Sequence, residues 1–148
     1  MRGFTLVELL LVMAIVALVG ALSVPMLQTT QVSADLTSST QKLISTLRRA
    51  QWQATTEQEA DSWGVYFDNG VKSFILFKGV NYAGRDQTAD QVFSWPATFT
   101  LSTDFGNEII FNLASGQPTA SGTVELTSGN NQTKAILINS YGKIQPGN

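Results

Sequence analysis

The sequence contains neither cysteine nor histidine, and these two absences remove most of the usual site chemistry. Without thiolate or imidazole there is no ligand set for a zinc centre, no Cys–His or Ser–His–Asp nucleophile system and no disulfide framework. The lack of cysteine leaves the compartment open, because a domain outside the cytoplasm can fold without disulfides. Charge is sparse too: 14% of the 148 residues are charged and the formal net charge is -2. Such a chain lacks the basic field that draws proteins onto nucleic acid. Its length fits one domain, with about 120 residues left for a folded core once an apolar opening segment is set aside.

That opening segment is the most informative stretch: MRGFTLVELLLVMAIVALVGALSVP. Residues 9–27 carry no charge and as a helix would reach roughly 28 Å, the thickness of a bilayer's hydrocarbon core. Arg2 precedes the run and the next cation is Lys42, so the positive-inside rule keeps the N-terminus cytoplasmic and sends the rest across. Glu8 is the misfit, because a carboxylate at the edge of a span is costly and points to a function. Two plainer readings stand beside this one. A conventional secretory signal would use Ala21 and Ser23 as the small residues of its cleavage site, but Glu8 stands where a basic region belongs and no compositional break follows Ser23. In an ordinary membrane anchor, Glu8 would merely support the first helical turn through the macrodipole.

Pro25 closes the apolar run and favours a helix kink there, with Gly20 a weaker soft point. Beyond it Leu36, Thr40, Leu43, Leu47, Ala50 and Ala54 recur at intervals of four and three, one face of an amphipathic helix over about residues 28–57. The stripe is too short for a coiled coil and predicts packing on a sheet. After a polar break, residues 63–67 and 71–77 are aromatic and β-branched around Asp68-Asn69-Gly70, a hairpin signal. Residues 79–91 read as a loop, and strands follow at 97–102, 108–111, 123–127 and 135–139, with turns at Ser115-Gly116 and at residues 128–131. The fold class is α+β: a long N-terminal helix, membrane-spanning in its first half and amphipathic in its second, packed on an antiparallel β-sheet head. There is no repeat or second core domain.

Gly3-Phe4-Thr5-Leu6-Val7-Glu8-Leu9 resembles the processing and methylation motif of type IV prepilins and type II secretion pseudopilins, in which a Gly, a Phe and a Glu four residues later precede an apolar helix. The resemblance implies cleavage between Gly3 and Phe4 by a prepilin peptidase, N-methylation of Phe4, and an assembly charge pair between Glu8 and the Phe4 amine of a neighbouring subunit. It divides the chain into a leader at residues 1–3, a transmembrane and assembly helix at 4–27, its amphipathic continuation at 28–60 and a β-rich head at 61–148. The helix kink at Pro25 has a counterpart in the same family. The head is similar, less specifically, to H-type minor pseudopilins and FimT-type minor pilins, through Leu47-Arg48-Arg49-Ala50, Trp63-Gly64, Phe111, Ser115-Gly116 and Tyr141-Gly142-Lys143-Ile144. No cysteine pair brackets the C-terminal loop, unlike the disulfide-closed heads of many major pilins.

The implied protein is a structural subunit and not an enzyme, with no cofactor. Its implied partners are other pilin or pseudopilin subunits, the prepilin peptidase, an inner-membrane assembly platform and, before assembly, membrane lipid. It would sit in the bacterial inner membrane with its head outside, then in a pilus or pseudopilus. The alternative is a secreted or membrane-tethered β-rich binding module with a conventional signal. Other candidate sites give way to plainer readings. Asp86, Asp90 and Asp104 fit no compact Ca²⁺ loop, and Glu57, Glu59 and Asp61 read as a solvated helix end. Arg48 and Arg49 are too isolated for a DNA surface. Tyr66, Phe74 and Trp95 are better placed as core than as an exposed aromatic patch.

Overall fold

The computed structural model describes residues 3–56 and 61–147, and over residues 21–29 it describes the backbone alone. Met1 and Arg2 of the leader, Glu57 and Glu59, and the side chains of Ala21, Ser23 and Pro25 therefore lie outside the described set. The chain divides into two compact units, Met1–Ala34 and Asp35–Asn148. One helix, α1 (Leu6–Thr55), contributes to both.

In the first unit the helical backbone continues through Pro25. Every described side chain from residue 3 to residue 20 is exposed. In the second unit the six-residue stripe is buried throughout: Leu36, Thr40, Leu43, Leu47, Ala50 and Ala54 are all at most 4% exposed. Threonine is tolerated in this stripe because its hydroxyl turns back onto the helix, Thr40 donating to the Leu36 carbonyl at 2.7 Å and the buried Thr46 to that of Lys42 at 3.0 Å.

Eight strands follow: β1 (Trp63–Asp68), β2 (Ser73–Lys78), β3 (Asp86–Ser94), β4 (Thr100–Thr103), β5 (Glu108–Phe111), β6 (Gly122–Thr127), β7 (Thr133–Ile138) and β8 (Ile144–Pro146). They form two four-stranded sheets, β3-β2-β1-β5 and β4-β6-β7-β8, with every strand pairing antiparallel. The fold is α+β, and its head holds two sheets where the periodicity alone predicts one.

The β1–β2 hairpin forms as expected, its last pair being Asp68↔Ser73. Asp68 turns the chain by accepting the amides of Gly70 at 2.8 Å and Val71 at 3.2 Å. β2 is buried along nearly its whole length because both faces are covered. Phe74 and Leu76 are in the core, whereas over Phe77 the loop at 79–85 lays Tyr82 edge-on at 5.6 Å. Tyr82 also stacks on Tyr66 at 3.8 Å, and the Arg85 guanidinium lies 3.7 Å from its centroid. Arg85 is fixed in turn by both carboxylate oxygens of Asp90, at 3.1 and 2.8 Å.

Three sequence expectations are corrected. Residues 86–91 are not loop but the start of β3, a strand with no buried position along it, so no apolar alternation marks it. β4 begins at Thr100 rather than at 97, since Phe99 donates back to the Pro96 carbonyl at 2.9 Å and closes a turn there. β8 was not anticipated, for it is three residues long and contains Pro146, a residue that strands admit at their edges. In addition the helix starts at Leu6 rather than at Phe4.

Candidate processing and assembly site

Gly3, Phe4 and Thr5 precede the helix and are non-helical and exposed, Phe4 at 80%. Thr5 is the residue that starts α1. Its carbonyl accepts the amides of Glu8 at 3.1 Å and Leu9 at 3.2 Å, and its hydroxyl accepts the Glu8 amide at 3.3 Å. That is N-cap geometry, satisfying a donor that the first turn would otherwise leave bare. Glu8 thereby falls at the third helical position, where a carboxylate is favoured by the positive end of the macrodipole. The spacing Thr5-x-x-Glu8 is the capping-box signature, a signal in the sequence that the motif reading passed over.

Glu8 is exposed. In the intact chain the nitrogen of Phe4 belongs to the Gly3–Phe4 peptide bond and carries no charge, so no ion pair between the two residues is available before a cut. At Gly3 a side chain would find open space, with nothing within 4 Å of an added Cβ. Among the described residues, no packing contact calls for glycine there.

Behind the motif the helix surface is apolar and grooved. One groove of about 280 Å³ is lined by Phe4, Leu9, Val12 and Met13, and another of about 260 Å³ by Leu11, Ala14, Ile15, Leu18 and Val19. Ridges and grooves of this kind are what a second helix packs into. Among the described residues no helix is long and apolar enough to cross a membrane. The described side chains of the apolar run end at Gly20, whereas in sequence the uncharged stretch continues through Leu27.

In the head, the other candidates are scattered and engaged. Asp90 holds Arg85, Asp104 accepts the Thr123 amide at 3.0 Å, and Asp86 accepts both the hydroxyl and the amide of Thr88, at 2.6 and 3.0 Å. The Thr88 hydroxyl, then its amide, hold the Asp86 carboxyl below its ordinary value, aided by Lys78. No group of metal-binding side chains assembles among the described residues. Phe74 and Trp95 are buried and stacked on each other, and Tyr66 lies partly under Tyr82. Arg48 donates to the Ile144 carbonyl at 3.2 Å, and Arg49 is exposed.

Gln51 was missed. Its side-chain amide donates to the carbonyls of Gly116 and Gly142, both at 3.0 Å, tying the last turns of α1 to two separate loops. Both glycines have positive φ, +61° and +84°, and a Cβ on either would run into Gln51 or its neighbour Thr55. The Ser115-Gly116 and Tyr141-Gly142 pairs were visible in the sequence, but not the shared partner between them.

Residues 1–24 match the family described as the prokaryotic N-terminal methylation motif. Among solved structures the chain is similar in fold to the minor pseudopilin EpsH from the type 2 secretion system of Vibrio cholerae. The TM-score is 0.59 and the identity 11%, over 76% of this chain and 96% of that one. No curated protein matches the sequence. The chain thus carries a prepilin-type motif on a pilin-like fold.

Proposed function

We propose that this chain is a structural subunit of a type IV pilus-like or type II secretion pseudopilus filament, made as a prepilin and assembled through its N-terminal helix. The observation that carries the reading is the methylation-motif match at residues 1–24, lying on an exposed, non-helical Gly3–Phe4 bond directly ahead of the first turns of α1, whose side chains are exposed from residue 6 to residue 20. Hydrolysis of that bond leaves a carboxylate on Gly3 and an ammonium on Phe4. The new cation sits beside the positive end of α1, an unfavourable place for it, and the Glu8 carboxylate compensates. Methylation keeps the amine basic while reducing its hydration.

In the filament the partner of Glu8 is the Phe4 amine of a neighbouring subunit. Desolvation offsets much of the attraction, so the pair sets register more than it adds affinity; a wrong register leaves a charge unpaired in an apolar surrounding. Before assembly the helix resides in the inner membrane with the N-terminus inside and the head outside, handed on by an assembly platform. Pro25 is the point at which the helix bends on packing. The likeness of this chain's fold to a minor pseudopilin is consistent with the structural role.

The test is the mass of the mature protein. A chain beginning at Phe4 with one added methyl is the expected result; a start near Val24 would exclude the proposal in favour of a conventional signal. Glu8→Val separates the two steps: cleavage is expected to persist while incorporation into filaments fails, and normal incorporation would sink the pairing.

A further inference from the structure

The two sheets present four edge strands, and three of them are closed, each by a different device. β5 is covered by the segment that follows it: Thr119 donates to the Ile110 carbonyl at 2.8 Å, Asn112 to that of Gln117 at 2.9 Å, and Phe111 bridges Pro118. β4 is closed by one side chain, Asn69 from the β1–β2 hairpin, whose amide nitrogen donates to the Leu101 carbonyl at 2.8 Å while its oxygen accepts the Leu101 amide at 3.1 Å. That side chain imitates a paired strand residue. On β8, Arg48 occupies the Ile144 carbonyl at 3.2 Å, and Pro146 has no N–H to offer.

The fourth edge, β3, has no such cover over residues 91–94 among the described residues. The Trp95 amide donates to the Lys72 carbonyl at 3.0 Å, and the register pairs Phe74 with Phe93 and Leu76 with Gln91. By the alternation of antiparallel ladders, Gln91 and Phe93 bond to β2, so the N–H and C=O of Val92 and Ser94 point outward. Val92 is 64% exposed. At the other end of the strand stands Asp86, exposed and held by Thr88, beyond an irregularity in the register between Leu76 and Lys78. An open edge is a hazard that proteins ordinarily suppress, as the other three edges here show.

We propose that β3 receives an extended segment of a partner protein as an added antiparallel strand, with an apolar side chain beside Val92 and a lysine or arginine beside Asp86. Outward backbone groups supply the affinity, and the valine and the carboxylate supply direction and selectivity. A second copy of this chain fits less well. Laying β3 antiparallel on β3 over its full length sets Asp90 opposite Asp90, and sliding to set Gln91 opposite Gln91 leaves Asp86 outside the overlap with no cation beside it, since β3 holds neither lysine nor arginine. The inference uses head residues alone and stands independently of the filament reading.

The test uses the full chain in detergent micelles and a synthetic nonapeptide that alternates threonine and valine and ends in two lysines. Its counterpart, N-methylated at every second amide, is the control. Saturable binding is expected for the first peptide only, with exchange of the Val92 and Ser94 amides slowed by at least about tenfold. Val92→Pro removes an outward donor and leaves the bonds of Gln91 and Phe93 to β2 in place, so it should weaken binding by at least about tenfold. Asp86→Asn should weaken it by about two- to threefold. If Val92→Pro does not fold, exchange in the unaltered chain decides alone. Absence of slowing, or binding indifferent to Val92→Pro in the folded variant, overturns the proposal. So does a concentration-dependent dimer that Val92→Pro abolishes, since the edge would then belong to a second copy.

Discussion

Two stretches of this molecule both use leucine, isoleucine, valine and alanine, the first far more densely, yet they dispose of them in opposite ways. From residue 3 to residue 20 no described side chain is buried, and Leu10, Ile15 and Leu18 each expose more than half of their surface. In the unit Asp35–Asn148 many of the same residue types are enclosed: Leu47, Val65, Ile109 and Val124 have no exposed surface at all. The difference teaches that apolar content does not say where a residue's partner lies. The head encloses much of its apolar surface within the chain, whereas residues 3–20 leave theirs uncovered. Helix α1 crosses from one regime to the other without a break in its backbone.

The largest expected effect separates the two regimes directly. Leu47→Ala should lower the stability of the head by about 2–5 kcal/mol, whereas Leu11→Ala, at a position 60% exposed, should leave its thermal midpoint unchanged. Equal midpoint shifts would break the comparison. The Glu8→Val change works the other way, leaving head melting untouched while costing assembly about 3–5 kcal/mol, the scale of one charge left unpaired on burial. Filament yield against cleaved subunit is the measurement.

Smaller effects sharpen the boundary. Gly142→Ala forces a Cβ onto a backbone at φ +84° and against Gln51, and should cost about 1–3 kcal/mol of head stability by chemical denaturation. Thr5→Val should remove about 1 kcal/mol of capping from the helix start, read as faster exchange of the Glu8 amide with the head's melting unmoved; Thr5→Ser should restore it. Smallest of all is an acid effect at Asp86. Its folded-state carboxyl is held below the ordinary value by Thr88, so its contribution is present above the unfolded value and disappears as pH falls through the folded one. Asp86→Asn should flatten that part of the acid-stability curve slightly; a variant curve identical to that of the parent would show that the Thr88 contacts contribute nothing.

What could be read beforehand follows the same division. The buried stripe of α1 and the β1–β2 hairpin were legible because burial on one face imposes a period, and Leu36 to Ala54 carry it plainly. β3 carried no such signal. Its residues, Asp-Gln-Thr-Ala-Asp-Gln-Val-Phe-Ser, lie at an edge where neither face is fully covered, so composition there is free to look like a loop. Gln51 and Asn69 were invisible for another reason. Each acts by bonding backbone far away in sequence, Gly116 and Gly142 in one case and Leu101 in the other, and a polar side chain shows no sign of which distant carbonyl it will meet. At the N-terminus the order of residues pointed to Gly3, Phe4 and Glu8, while the part of Thr5, signalled by its spacing to Glu8, is drawn out by its hydrogen bonds.

Because Thr5 opens the helix, the Gly3–Phe4 bond lies wholly outside the helical hydrogen-bond ladder. Cutting that bond would break no helical hydrogen bond; it would exchange a neutral amide for a cation. If the chain matures as proposed, the cut would leave the helical ladder intact, and beyond the new cation's effect on the first turn its free-energy consequence would be felt in the contacts the subunit makes with its neighbours.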